Sequence, residues 1–325
     1  MKNLICTLFE KTHHFGLVAL INSLHKQGFR GDVFAGYRGS LPNWCLKSQA
    51  NPSLNWEGAK TMILGEGIKL HFLPLQTNYH FTNYKPDFLI SLLNGPGKDA
   101  EKAYYFDPDI TLAHSWTFFE NWVESGIAVC EDTNSPLSEF HPRRTAWRNY
   151  YKNFGFELKF KNSIYVNGGF LGLSKIDFGF LNLWKKAQEE MAPVIGGLGK
   201  SSLGEGFQLD KSQMDALEHF NKTDQDALNA SLEAWNGNIS YLGQEGMNFK
   251  KGNHVMSHAI GTKKPWDKSF FLYFLNGRSP TPQDREYWNN MQKPLRILPA
   301  FYISLKRFSI KFSRFMGRFY SRHEF

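Results

Sequence analysis

Cysteine is scarce. Cys6, Cys45 and Cys130 are odd in number, far apart and without a Cys-x-x-Cys spacing, which excludes a disulfide framework or a thiolate metal cluster and points to a reducing compartment. Long apolar runs are missing too. No stretch reaches the roughly 18 residues that a membrane-spanning helix needs. The apolar residues 4–9 are broken by Glu10, Lys11, His13 and His14 before a secretion signal can form. An uncleaved cytoplasmic protein is therefore expected. There is no internal repeat and no low-complexity segment beyond the Gly- and Ser-rich residues 196–206, which read as a mobile loop, either plain surface or a lid. Net charge is nearly absent from most of the chain. Of a formal +8 over 325 residues, +6 falls in residues 296–325, where seven Lys or Arg meet one Glu, leaving +2 for the rest. A near-neutral body argues against a phosphate-tracking surface, so nucleic acid is not expected as a partner.

What is present is core-forming material, 42% apolar and 16% aromatic, enough for a folded body. Residues 4–9 read as a buried strand. Residues 15–25 read as a helix with Leu17, Leu20, Ile21 and Leu24 at helical spacing, Gly28 as its stop, and residues 32–36 as a second strand. A strand, helix, strand opening predicts an α/β protein with a mainly parallel sheet flanked by helices. In such sheets chemistry gathers beyond the carboxyl ends of strands, so residues 10–14 are a candidate rim. Residues 103–106 read as a strand running into Asp107-Pro108-Asp109, residues 127–130 as one running into Glu131-Asp132, and residues 178–191 as a helix.

Near the C-terminus Phe301, Leu305, Phe308, Phe312, Phe315 and Phe319 share an arc of roughly 80° on a helical wheel, flanked by Arg307, Lys311, Arg314, Arg318 and Arg322. Such a basic amphipathic helix either lies in an anionic membrane interface or packs its apolar stripe onto the body with a solvated basic face; the number of aromatics and cations favours the first.

Four segments carry candidate chemistry. Asp107 and Asp109, one residue apart at a strand end, are hard oxygen ligands suited to Mn²⁺ or Mg²⁺ holding a diphosphate, although Asp-Pro-Asp is equally a turn. His258-Ala-Ile-Gly261-Thr-Lys-Lys264-Pro265-Trp266 offers a third metal ligand, a glycine that lets backbone approach a phosphate, and a cation for its oxygens. The other two are Tyr165-Val-Asn167-Gly168-Gly169 and Asp224-Gln225-Asp226-Ala-Leu-Asn229, which also read as tight strand packing and as a helix cap. Together and in this order, over about residues 2–266, they resemble the motifs of glycosyltransferase family 8.

The resemblance implies a GT-A (Rossmann-like) fold in residues 1–275, followed by a linker and a basic aromatic membrane-associating tail in residues 276–325. It implies a retaining hexosyltransferase that takes a nucleotide-sugar, a UDP-sugar in the first instance, to a glycan or glycolipid acceptor, as in bacterial surface polysaccharide or lipopolysaccharide synthesis. Work at the inner face of the cell membrane follows from the tail. By the same resemblance Asp107, Asp109 and His258 hold Mn²⁺ or Mg²⁺. Thr7, Lys85, Asp107, Asn167, Gly168, Gly261 and Lys264 serve the donor, Asp224 and Gln225 the anomeric side of the sugar, and Asp132 the acceptor. The family's Asp or Asn after the first strand is replaced here by Thr7-Leu-Phe-Glu10-Lys11, and Gly168 stands where Ala or Ser is commoner, so the base remains open. Two other readings stand beside this one. Asp107-x-Asp109-x-Thr111 also fits the opening motif of haloacid-dehalogenase-like phosphatases. A membrane-surface protein that binds nucleotide-sugars without turnover is the non-enzyme alternative.

Overall fold

The computed structural model describes residues 2–65, 67–202 and 219–317. β1 (Asn3–Phe9) feeds α1 (His14–Lys26), whose inward stripe includes Leu17, Leu20, Ile21 and Leu24, and Gly28 (φ +89°) breaks it before β2 (Gly31–Tyr37). β3 (Gln49–Ala50), β4 (Lys60–Leu64) and β5 (Ile68–Pro74) follow, then α2 (Lys85–Asn94), β6 (Lys102–Phe106), β7 (Ile110–Leu112), α3 (Trp116–Trp122) and β8 (Ile127–Cys130). The second half contributes α4 (Pro142–Tyr151), β9 (Phe170–Ser174), α5 (Gly179–Ile195), α6 (Thr223–Ala234), β10 (Ile239–Leu242) and β11 (Met256–His258). It ends in α7 (Phe270–Leu275), α8 (Pro282–Asn289) and α9 (Ala300–Met316).

Among the described residues nine strands form one sheet in the order β10-β8-β9-β6-β1-β2-β5-β4-β3. β1 pairs in parallel with β2 and β6, and β2 with β5; β9 runs against β6 and β8, and β4 against β5. The expectation of a mixed, mainly parallel sheet flanked by helices holds. The central strands β1 and β6 are buried along almost their whole length, because helix-bearing connections cover both faces of a parallel sheet. One apolar cluster gathers Leu4, Leu8, Phe34, Phe88 and Trp184, and the other Ile5, Phe72, Phe106, Phe119 and Phe170. From β1 the chain first adds β2 and β5 on one side and then returns to place β6 on the other. That reversal opens a crevice beyond the carboxyl ends of β1 and β6.

Two features tie together segments distant in the chain. A separate two-stranded antiparallel sheet pairs β7 with β11, aligning His258 with Ile110. Glu233, at the end of α6, binds Arg144 and Arg148 of α4, and Arg144 also donates to the Leu137 and Ile164 carbonyls. Buried ion pairs of this kind last because every donor finds an acceptor.

The chain after β11 is seated rather than loose. Phe270, Tyr287, Trp288, Ile303 and Ile310 form a third cluster with Val18 and Ala19 of α1. α9 sits on the body through Ile303, Ile310 and Ser313. At about 100° per residue these lie nearly opposite the aromatic arc, and Phe301, Leu305, Phe308 and Phe315 are exposed. Packing onto the body by that arc, one of the two expectations for this helix, is therefore not what is found. α7 packs beside α9, Phe274 on Phe312 and Ser313 Oγ donating to the Phe270 carbonyl, and adds exposed Phe271, Leu272 and Leu275 to the same face. Arg318, Phe319 and Arg322 lie outside the described residues. Residues 203–206 of the Gly- and Ser-rich stretch do as well; its earlier part is tied down by Asn83 and His80, which donate to the carbonyls of Leu198 and Lys200. No helix among the described residues is long and apolar enough to cross a membrane.

Candidate active site

The Asp-Pro-Asp segment is both a turn and a candidate ligand set. Ile110 N–H donates to the Asp107 carbonyl, closing a turn directly after β6. The turn sends both carboxylates to one side, and the β7–β11 ladder brings His258 against them. His258 Nε2 lies 3.3 Å from Asp109 Oδ1 and 3.8 Å from Asp107 Oδ2, and one ligand atom from each of the three residues falls within a span of 4.8 Å. Asp109 and His258 are buried, while Asp107 is half-buried at the mouth. Two hard oxygens and an imidazole nitrogen converging on one point fit a divalent ion such as Mn²⁺ or Mg²⁺.

Elements on both sides press the turn into place. Gly16, in the first turn of α1, lies so close that a Cβ there would stand 2.5 Å from the Pro108 carbonyl oxygen. Trp266 packs on His13 and Tyr287, and Trp288 Nε1 donates to the Pro265 carbonyl, so the Lys-Pro-Trp end of the histidine segment is seated between α1 and α8. The exposed Gly261 has φ +101°.

Cations sit next to the acids. Lys264 Nζ donates to Asp109 Oδ2 at 2.6 Å and to the Ala259 carbonyl at 3.0 Å. Burial alone would raise the Asp109 carboxyl, but Lys264 and His258 outweigh it and hold the group well below the usual carboxylate range. Lys85, fully inside, donates to the Gly168 carbonyl at 2.8 Å and lies 3.2 Å from Asp224 Oδ2 and 3.3 Å from Asp107 Oδ1. Its ammonium would be pushed down by burial, yet the Asp107 and Asp224 charges and hydrogen bonds raise it above its ordinary value. Asp224 is driven the other way. Burial lifts its carboxyl to about 6 against the pull of Lys85, and its Oδ1 has no hydrogen-bond partner. Gln225 Oε1 accepts from Gly168 N–H at 3.0 Å.

The site thus brings together Lys85, Asp107, Asp109, Gly168, Asp224, Gln225, His258 and Lys264. Thr7 stands apart. It is within β1, paired with Ala35 and without exposure, and its hydroxyl has no partner. Asp132 and Asn167 are buried and bonded to each other, Asn167 Nδ2 to Asp132 Oδ2 at 2.6 Å. Two participants carried no signal in the sequence. Tyr105 OH donates to Asp107 Oδ1 at 2.8 Å; Tyr105 stands in a strand buried along its whole length and reads only as core. Arg38 clamps Glu10 beyond β1 with bonds of 2.8 and 3.1 Å and lies over Phe81. The phosphatase alternative is not favoured, since its motif opens on the first strand whereas Asp107 follows β6, and Thr111 is buried in β7 opposite Ser257.

No family model matches the chain, and no curated protein does. Solved structures of similar outline have low identity. The WbbM bifunctional glycosyltransferase in its apo form is 12% identical with a TM-score of 0.45, over 89% of this chain and 51% of that one. The galactosyltransferase LgtC in complex with donor and acceptor sugar analogs is 13% identical with a TM-score of 0.48, over 93% and 99%. The glycosyltransferase GlyE of Streptococcus pneumoniae TIGR4 is 14% identical with a TM-score of 0.47, over 96% and 64%. This chain therefore spans about half the length of the first.

Proposed function

We propose that this chain is a metal-dependent glycosyltransferase of GT-A type. It moves a hexose from a nucleotide-sugar, a UDP-sugar in the first instance, to a glycan or glycolipid acceptor with retention at the anomeric carbon. The observation that carries the reading is the convergence of Asp107, Asp109 and His258 beyond the carboxyl end of β6 with Lys264 and Lys85 beside them. Metal ligands flanked by ammonium groups are what a departing diphosphate requires. A bound Mn²⁺ or Mg²⁺ supplies Lewis-acid neutralisation of that diphosphate. Lys264, close to the exposed Gly261, binds its oxygens, and Lys85 couples the metal-side Asp107 to Asp224. Asp224 and Gln225, which brace the Gly168 backbone through Lys85 and directly, orient the sugar for transfer.

The test is nucleotide release by the purified chain from a panel of UDP- and GDP-sugars, with Mn²⁺, with Mg²⁺ and with chelator. Metal-dependent release from one donor is expected. No release and no binding of any donor would remove the reading.

The α7 and α9 face supports an acceptor at a membrane surface, with residues 1–275 as the transferase body and the following residues presenting that face. Phe271, Leu272, Phe301, Leu305 and Phe308 point away from the body beside exposed Lys311 and Arg314. Apolar insertion and cation attraction to head groups act together on such a face, and they suit a peripheral enzyme at the inner leaflet in surface polysaccharide or lipopolysaccharide synthesis. Phe308→Asp is expected to weaken binding of the full chain to phosphatidylglycerol-containing vesicles about tenfold or more while leaving release of nucleotide from a soluble donor unchanged. Equal flotation of variant and wild type with these vesicles would reject the surface role.

A further inference from the structure

Asn167 is surrounded so that only one orientation of its amide satisfies its neighbours. Oδ1 lies 2.9 Å from the backbone N–H of Gly169, which only donates, and Nδ2 lies 2.6 Å from Asp132 Oδ2, which as a carboxylate only accepts. The same Oδ1 is 3.1 Å from His258 Nδ1. With the amide oriented this way, Nδ1 must carry a proton. A neutral imidazole protonated there keeps its lone pair on Nε2, the atom that faces Asp109 Oδ1 at 3.3 Å and Asp107 Oδ2 at 3.8 Å.

Asp132 is itself held. Its Oδ1 accepts from the backbone N–H and the side-chain amide of Asn134 at 2.8 and 2.5 Å, and its carbonyl from Gln244 Nε2 at 3.0 Å. Both residues are 4% exposed, and the bonds above engage both Asp132 oxygens and the Asn167 amide. Gly169 completes the device, because a Cβ there would stand 2.5 Å from His258 Cε1 and 2.9 Å from Asn167 Oδ1; only glycine lets the ring reach the amide.

We propose that Asp132 and Asn167 are positioning residues for the metal centre. Asp132 orients the Asn167 amide. Asn167 Oδ1 then holds the Nδ1–H of His258 so that Nε2 turns its lone pair toward Asp107 and Asp109. The inference rests on the reading of those three residues as a metal site. Outer partners of this kind keep a histidine in one tautomer and one ring orientation, and their loss typically weakens metal binding by about 10–100-fold.

The experiment is a Mn²⁺ titration, followed by the spin-resonance signal of free Mn²⁺, on wild type, Asn167→Ala, Asn167→Asp and the double variant Asn167→Asp with Asp132→Asn. Asn167→Ala removes the acceptor, and Asn167→Asp sets two carboxylates against each other; each is expected to raise the Kd about 10–100-fold. The double variant exchanges the amide and the acid. It restores an amide-to-carboxylate bond between the two positions, an acceptor for Asn134 and an acceptor for His258, and its Kd is expected to return to within about threefold of wild type. In parallel, nitrogen-15 spectra of the metal-free wild type are expected to show His258 protonated on Nδ1. A folded Asn167→Ala chain with wild-type Mn²⁺ affinity, a double variant no better than Asn167→Asp, or a proton on Nε2 overturns the relay alone. A wild type that binds neither Mn²⁺ nor Mg²⁺ overturns the metal site and the relay with it. Should Asn167→Ala not fold, the exchange pair and the tautomer decide between relay and no relay.

Discussion

Replacing Asp109 by alanine is expected to remove metal-dependent transfer, lowering kcat by about a thousandfold or more, while the protein stays folded. On the proposed function a ligand carboxylate is lost from a three-residue set, and the loss falls where leaving-group charge is neutralised. Several kcal/mol of barrier stabilisation correspond to such a factor. The fold survives because Asp109 contributes to it through its backbone: its carbonyl accepts from Ala259 N–H, a bond that alanine keeps. Lys264 loses one partner but retains the Ala259 carbonyl and partial solvent contact. Donor turnover with Mn²⁺ and a thermal melt together check this. An Asp109→Ala chain that releases nucleotide at the wild-type rate in Mn²⁺, but not in chelator, would remove Asp109 from the site.

The second large effect concerns stability. Glu233→Ala is expected to cost about 3–5 kcal/mol, read as a drop of roughly 10 °C in Tm with a matching shift in the urea midpoint. The carboxylate faces Arg144, itself 3% exposed by side chain, and the partly buried Arg148. A guanidinium does not shed its proton to escape burial as a lysine does, so the charges left behind stay charged and lose their counter-ion. Arg144 keeps the Leu137 and Ile164 carbonyls, which bounds the loss. Glu233→Gln retains an acceptor oxygen and should lie between alanine and wild type. A loss below about 1 kcal/mol for Glu233→Ala would mean that water reaches the pair.

Much of the sheet centre was readable from the chain because there local pattern and tertiary role agree. Residues 127–130 are β8 as expected, and the strands expected over 4–9, 32–36 and 103–106 each lengthen by one or two residues in β1, β2 and β6. The helix expected over 178–191 is α5, running on to Ile195 with Pro193 inside its last turn. The cluster of Asp107, Asp109 and His258 was readable for a different reason: two acids at a strand end and a histidine in a Gly-Lys-Pro-Trp setting are residue types that chemistry uses and cores avoid. What the chain hid is what depends on distant pairing. The three-residue strands of the β7–β11 ladder are too short to show a period of their own. That Asp132 and Asn167 are buried and bonded to each other was hidden as well, because sequence reports type, not direction. Thr7, read as a donor contact, lies inside β1, two residues before its end, and is fully buried. The outward aromatic arc of α9 was visible as periodicity, yet which arc seats the helix depended on α1 and α8, which no local pattern encodes.

The β7–β11 ladder also sets a timetable for the newborn chain. Lys264 lies 155 residues beyond Asp109, and at ordinary rates of synthesis the ribosome needs on the order of 8–30 s to cover that distance. During that interval β1, β2, β5 and β6 can already have formed the parallel centre of the sheet, carrying an acidic turn with neither the histidine nor the lysine that complete it. On the proposed function, catalytic competence therefore arrives late, when the last short strand docks. A ribosome-bound chain arrested before β11 would be folded at its centre and chemically silent.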